Sequence, residues 1–161
     1  ALFDSMTIWE NVAMGLRRIP GLGAKEIEER VMSSLERVDL VGVDGRYPSE
    51  LSGGMRKRAG LARAIATEPK YLLYDEPTTG LDPITTSVID RLIMRMKDEL
   101  GVTGVVVTHD MASAFRVSDR IAMLHEGRVR VVGTPDEIRD SEDMVVRSFV
   151  DGKPELLEGV G

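Results

Sequence analysis

Tyr71-Leu72-Leu73-Tyr74-Asp75-Glu76-Pro77 sets the reading of this chain. Four apolar or aromatic residues, ended by two acids and a proline, have the pattern of a short strand buried on both faces. Both carboxylates then stand at the C-terminal edge of that strand, where α/β sheets place their ligands. There Asp75 is expected to hold Mg2+, directly or through water, and Glu76 to orient and polarise an attacking water. The alternative is a solvated pair of acids at a strand end.

Downstream, Pro77, Gly80 and Pro83 mark a loop, and Asp82-Pro83 has the form of an N-cap followed by proline at the first helical position. A helix is predicted from Ile84 to Leu100, with Val88, Leu92, Met96 and Leu100 at steps of four and Gly101 as its stop. Val105-Val106-Val107 predicts a second buried strand, with Thr108-His109-Asp110 at its C-terminal end. A histidine there can donate a hydrogen bond to a phosphate oxygen and respond to its loss. Most lone histidines are structural, and His125 is read as a surface residue. A short helix through Ala114 follows. Ile121 to Leu124 and Val129 to Val132 predict a hairpin on a tight Glu126-Gly127 turn. Thr134-Pro135-Asp136-Glu137 opens a short helix, residues 142–150 form a last one, and the tail is expected to fray after Gly152.

Upstream lies Leu51-Ser52-Gly53-Gly54-Met55. Two adjacent glycines allow close backbone approach to a ligand, Ser52 adds a hydroxyl, and a helix over 53–67 offers free N–H groups and its positive dipole end. Together these suit a terminal phosphate. The same tetrapeptide also reads as an ordinary glycine turn capping a helix. Before it, residues 25–40 predict an amphipathic helix with Ile27, Val31, Leu35 and Val38 on one face. Gly21-Leu22-Gly23 is a turn, and residues 1–20 are a mixed segment ending at Pro20. The alternation of strands and helices predicts an α/β domain with a parallel sheet, finished by an antiparallel hairpin.

The bulk numbers agree with one domain: 161 residues, 42% hydrophobic and 30% charged. A net charge of −6 argues against nucleic acid as a partner. The absence of cysteine excludes disulfides and thiol chemistry from these residues. No apolar run reaches the length of a bilayer span.

In this order and spacing the motifs resemble the ABC ATPase family over nearly the whole chain. Leu51 to Met55 is similar to its signature loop, Leu72 to Glu76 to its Walker B strand, Thr79-Gly80-Leu81-Asp82 to its D-loop, and His109 to its switch histidine. The resemblance implies a P-loop NTPase-like ABC fold with a helical subdomain and signature helix over about 5–60 and a RecA-like core with C-terminal helices over 70–150. It implies ATP and Mg2+ as cofactors. Ser52, Gly53, Gly54 and Asp82 would bind nucleotide, Asp75 the metal, and Glu76 and His109 would be catalytic. It further implies a head-to-tail pair of ATPase subunits, a homodimer in the full-length form, driving transmembrane permease subunits from the cytoplasmic face of the inner membrane.

The family's phosphate loop, G-x-x-x-x-G-K-[ST], is not found in these 161 residues, and neither is any glutamine for its Q-loop. The chain is therefore expected to be N-terminally truncated, to start just after the Q-loop, and to hydrolyse no ATP alone. One side of its sheet should be uncovered. Residues 5–18 fall where a membrane subunit docks in the family, so Ile8, Trp9, Val12 and Leu16 either line that groove or pack in the core. Met55-Arg56-Lys57-Arg58, with Ala1-Leu2-Phe3-Asp4 and Leu73 to Pro77, resembles the ATPases of Mce-associated lipid transporters. That implies a phospholipid or other hydrophobic cargo and an Mce-type lipid-binding subunit. Competing readings are an importer of a different cargo, a non-transport ABC ATPase, and a non-catalytic module lending its signature loop to a complete ATPase.

Overall fold

A capping box starts the first helix: the Thr7 hydroxyl accepts from the Glu10 amide (3.2 Å) and the Glu10 carboxylate from the Thr7 amide (2.8 Å). In this computed structural model of the protein, residues 2–153 are described. They divide into two units, Ala1–Val107 and Thr108–Gly161. The first holds α1 (Ile8–Leu16), α2 (Ala24–Arg37), a 3-10 turn (Pro48–Glu50), α3 (Gly53–Ile65), β1 (Tyr71–Asp75), α4 (Pro83–Leu100) and β2 (Thr103–Val107). The second holds α5 (Met111–Val117), β3 (Ile121–His125), β4 (Arg128–Gly133), α6 (Pro135–Arg139) and α7 (Met144–Asp151).

In the first unit α1, α2 and α3 pack against one another, and α3 also meets α4. Ile8, Val12 and Leu16 are fully buried, so these three pack in the core and line no open groove. Val31, Leu35 and Val38 face the same core, whereas Ile27 is half-buried. Asn11 is buried as well, and its amide is saturated: it donates to the carbonyls of Phe3, Met6 and Thr7 and accepts from the Phe3 amide. That one side chain fixes residues 3–7 to α1. Trp9 sits at the surface, donating to Glu28 (2.7 Å) with the Arg17 guanidinium over its ring.

β1 and β2 are parallel neighbours in register Leu73 with Val105 and Asp75 with Val107, joined through α4. Asp82 caps α4 by accepting from the Ile84 and Thr85 amides, Pro83 takes its first position, and Gly101 ends it in the left-handed region at φ 62. The buried stripe of α4 is Ile89, Leu92, Ile93 and Met96. Val88 and Leu100, placed on the predicted face, are half-buried at its flanks.

The strands differ from expectation. Both were predicted to be buried on two faces, but β1 alternates. Leu72 and Tyr74 are buried while Tyr71 is 69% and Leu73 80% exposed, and Val105 and Val107 of β2 are over half exposed. An unbroken apolar run is the composition of a strand covered twice; the described residues cover one face. Neither outer edge of this pair has a strand neighbour among them.

In the second unit β3 and β4 form the predicted antiparallel hairpin. Glu126 and Gly127 both have positive φ (48° and 72°), as a type I′ turn requires. The ladder shifts register between Met123 and Leu124. Thr134 and Glu137 complete a capping box on α6, and the Arg130 guanidinium donates to Asp143 (2.8 Å), which caps α7. Gly152 ends α7; the tail beyond 153 lies outside the described residues.

The Tyr74 hydroxyl is buried with no hydrogen-bond partner among the described residues, and burial pushes its pKa up to about 12. A folded-state pKa above the unfolded value of 10.0 means that stability falls as pH rises from 10 towards 12. Tyr74→Phe keeps the ring and removes the unpaired donor. Urea titration at neutral pH should give an unfolding free energy unchanged or higher by up to about 1 kcal/mol. Above pH 10 the variant should lose less stability than the parent protein.

Candidate functional site

Ser52 is the N-cap of α3, and its hydroxyl oxygen accepts from the Met55 amide (3.2 Å). Gly53 and Gly54, the first helical residues, have no acceptor within their own helix for their amides. The Arg56 guanidinium donates back to the Leu51 carbonyl, which fixes the approach to this turn. The helix end thus faces outward with Ser52 exposed, an arrangement able to receive an anion.

The glycines also have a packing role. A Cβ added at Gly54 would lie 2.5 Å from the Thr85 methyl, and one at Gly53 would meet Leu81 at 3.7 Å. The start of α3 therefore sits directly on residues 81–85, which lead into α4. Asp82 belongs to this neighbourhood. Besides capping α4 it accepts a short hydrogen bond from the Thr85 hydroxyl. That bond, with the backbone amides of the first turn, holds its carboxyl below the ordinary value of 3.8. It is an anion at any ordinary pH, and it is engaged within its own helix.

β1 delivers the acids. Asp75 shares the exposed face with Tyr71 and Leu73 and ends the strand. At Glu76 the chain leaves the strand with φ 47, a left-handed conformation that costs a residue with a Cβ roughly 1–2 kcal/mol. Bonds at its amide, carbonyl and carboxylate hold it there. Its amide donates to the Val107 carbonyl (2.9 Å), its carbonyl accepts from the Lys57 ammonium (2.8 Å), and its carboxylate accepts from the Thr79 hydroxyl (2.7 Å). Thr79 and Gly80 (φ 78) then turn the loop towards Asp82.

His109 belongs to the second unit, between β2 and α5, and is exposed. Its neighbours are fixed: the Asp110 amide donates to the Thr108 hydroxyl (3.0 Å), and Asp110 caps α5 by accepting from the Ser113 amide (3.0 Å). The structure thus brings Ser52, Gly53, Gly54 and Asp82 together around the starts of α3 and α4. Lys57 joins Glu76 to the same helix. Asp75 stands one residue away on β1, and His109 lies in the other unit. Sequence reasoning gave no contact role to Lys57 or Thr85, and placed Thr79 only in the Thr79-Gly80-Leu81-Asp82 stretch. Thr79 had a local signal, a hydroxyl three residues after an acid; the others depend on tertiary approach.

The donor set suits Mg2+ in one respect. The Asp75 carboxylate offers a hard oxygen, and among the described residues no cluster of three or more His, Cys, Asp or Glu could hold a metal. One or two carboxylates with water and phosphate oxygens completing the shell is the usual Mg2+ arrangement.

Gly54→Ala sets an improved helix propensity of about 1 kcal/mol against a clash with Thr85. Overpacking should win, with a net loss of roughly 1–3 kcal/mol by denaturant unfolding. Adding Thr85→Ser removes the methyl while keeping the hydroxyl for Asp82, and should recover the loss.

Residues 1–79 match the family profile described as ABC transporter. The chain is 43% identical over 163 residues to a sulfate/thiosulfate import ATP-binding protein CysA of Caulobacter vibrioides, covering 99% of this chain and 48% of the relative. It is 48% identical over 141 residues to a spermidine/putrescine import ATP-binding protein PotA of Acidothermus cellulolyticus, covering 88% and 37%. The chain spans about half or less of the length of these relatives. Among solved structures, cbiO1 of Clostridium perfringens, part of the ABC transporter complex cbiONQ, aligns at TM-score 0.79 and 32% identity over 98% of this chain and 62% of that one. The ATP-binding cassette MJ0796, in a dimeric post-hydrolysis state bound to ADP and Pi, aligns at 0.73 and 33% over 83% and 59%. By fold and by sequence, this chain is similar to the ATP-binding subunits of ABC transporters.

Proposed function

We propose that this chain is the signature-bearing part of an ATP-hydrolysing ABC transporter subunit that works as a head-to-tail dimer beneath transmembrane permease subunits, peripheral to the cytoplasmic membrane face. The observation that carries this reading is the joint placement of an open Ser52-Gly53-Gly54 helix end and a strand-terminal Asp75-Glu76 pair, tied together through α3. In it, Ser52, Gly53 and Gly54 receive the terminal phosphate of a nucleotide held by the opposite subunit, with Asp82 at the same junction. Asp75 holds Mg2+, which when bound neutralises charge on the phosphate oxygens. Glu76 accepts a proton from the attacking water and aims it, and His109 donates to the phosphate oxygen and registers its departure.

No G-x-x-x-x-G-K-[ST] occurs in these 161 residues, and its nested amides and lysine supply most of the grip on the phosphates. Calorimetry should therefore show no tight Mg-ATP binding to this chain alone and clear binding to a form carrying a phosphate loop. In that form Glu76→Gln should slow turnover by at least about a hundredfold while nucleotide binding persists. Turnover by residues 1–161 alone would overturn the reading.

The finer reading, a phospholipid or similar cargo delivered with an Mce-type subunit, is supported by Met55-Arg56-Lys57-Arg58 and its flanking resemblances only. The relatives above carry the names of sulfate/thiosulfate and spermidine/putrescine importers, which favours the alternative of a small ionic cargo. Stimulation of turnover in the assembled transporter by phospholipid, and not by sulfate or spermidine, would support the lipid reading; the reverse pattern would remove it.

A further inference from the structure

Glu76 follows the last residue of β1 in a left-handed turn. Its carbonyl needs a donor. The amide of Thr79 reaches it only at 3.4 Å, whereas the Lys57 ammonium reaches it at 2.8 Å, a charge-assisted bond of full strength. Lys57 lies four residues after Gly53 and three after Gly54, so it shares the helix face that carries the phosphate-receiving glycines.

We propose that Lys57 is the positioning residue of Glu76: it holds the backbone turn that aims the carboxylate, and so links the signature helix to the base of the same chain. This rests on the assignment of Glu76 as the water-polarising group. The linkage is direct. Glu76 is anchored at three atoms, by β2 through Val107, by its own loop through Thr79, and by α3 through Lys57. The third anchor comes from the helix that begins at Ser52-Gly53-Gly54. Any displacement of α3 by a ligand at that helix end would be passed to Glu76 through Lys57. In a head-to-tail pair this couples the half-site that a chain lends to its partner with the half-site that it uses itself.

The test compares Lys57→Met, which keeps the length of the side chain and removes the donor, with Lys57→Arg, which keeps charge and donor. Both are made in the protein as its gene encodes it. Two readouts are taken: kcat and KM for Mg-ATP, and the amide–Hα coupling and carbon chemical shifts of Glu76 by NMR. Lys57→Met should lower kcat about ten- to a hundredfold with KM within about twofold. It should also move the Glu76 signals out of the left-handed range, and Lys57→Arg should restore both. Unchanged Glu76 signals in Lys57→Met overturn the proposal, as does a change confined to KM. If the unsubstituted protein shows no turnover, the proposed function falls, and the Glu76 signals alone decide this inference. Should Lys57→Met fail to fold, Lys57→Gln replaces it; a partial kcat loss with shifted Glu76 signals is expected, and no change overturns the proposal.

Discussion

The left-handed turn at Glu76 is the constraint on which the functional end of the first unit depends. A strand that continued straight past Asp75 would carry the second acid into the sheet face. Reversing φ at one residue sends the chain into the 77–82 loop and leaves both acids at the strand end. The conformation is unfavourable for a residue with a Cβ, so it persists only because its amide, carbonyl and carboxylate all find partners, from β2, from α3 and from its own loop. Strain held in place at a site by surrounding bonds is the usual setting for a group that must be aimed.

A second constraint follows at the start of α3. Gly53 and Gly54 read naturally as residues cleared for a ligand, but the structure adds a packing reason. Any side chain at Gly54 would collide with Thr85, whose hydroxyl serves the Asp82 cap of α4. The two helix starts are thereby locked as one junction. The turn at Ser52-Gly53-Gly54 and the loop after the acids are set by the same steric fit.

Much of this was legible beforehand. The helices α2, α3 and α4, the hairpin on Glu126-Gly127 and the capping of α6 follow from periodicity and cap chemistry, which act over a few residues. Helix α1 went unassigned although Thr7-Ile8-Trp9-Glu10 is a capping box; the mixed polarity around Glu10 and Asn11 masked it. Asn11 is buried only because three carbonyls and an amide surround it, and no local pattern announces that. The motif residues Ser52, Gly53, Gly54, Asp75, Glu76 and Asp82 were legible because each carries a characteristic residue type at a strand or helix end. Nothing local marks Lys57 within Met55-Arg56-Lys57-Arg58, since its partner is a backbone carbonyl 19 residues away.

The sequence by itself determined the order of elements, the helix caps, the turn types and the candidate chemistry, all of which are written in residues close together along the chain. Burial was decided elsewhere. The apolar runs of β1 and β2 have the composition of doubly covered strands, yet Leu73, Tyr71, Val105 and Val107 stand open among the described residues. Composition states what a strand can tolerate, and only the packed neighbours state what covers it. For the same reason the approach of Lys57 to Glu76 and of Gly54 to Thr85 belonged to the tertiary structure alone. Each joins residues distant in sequence through a distance that no periodicity encodes.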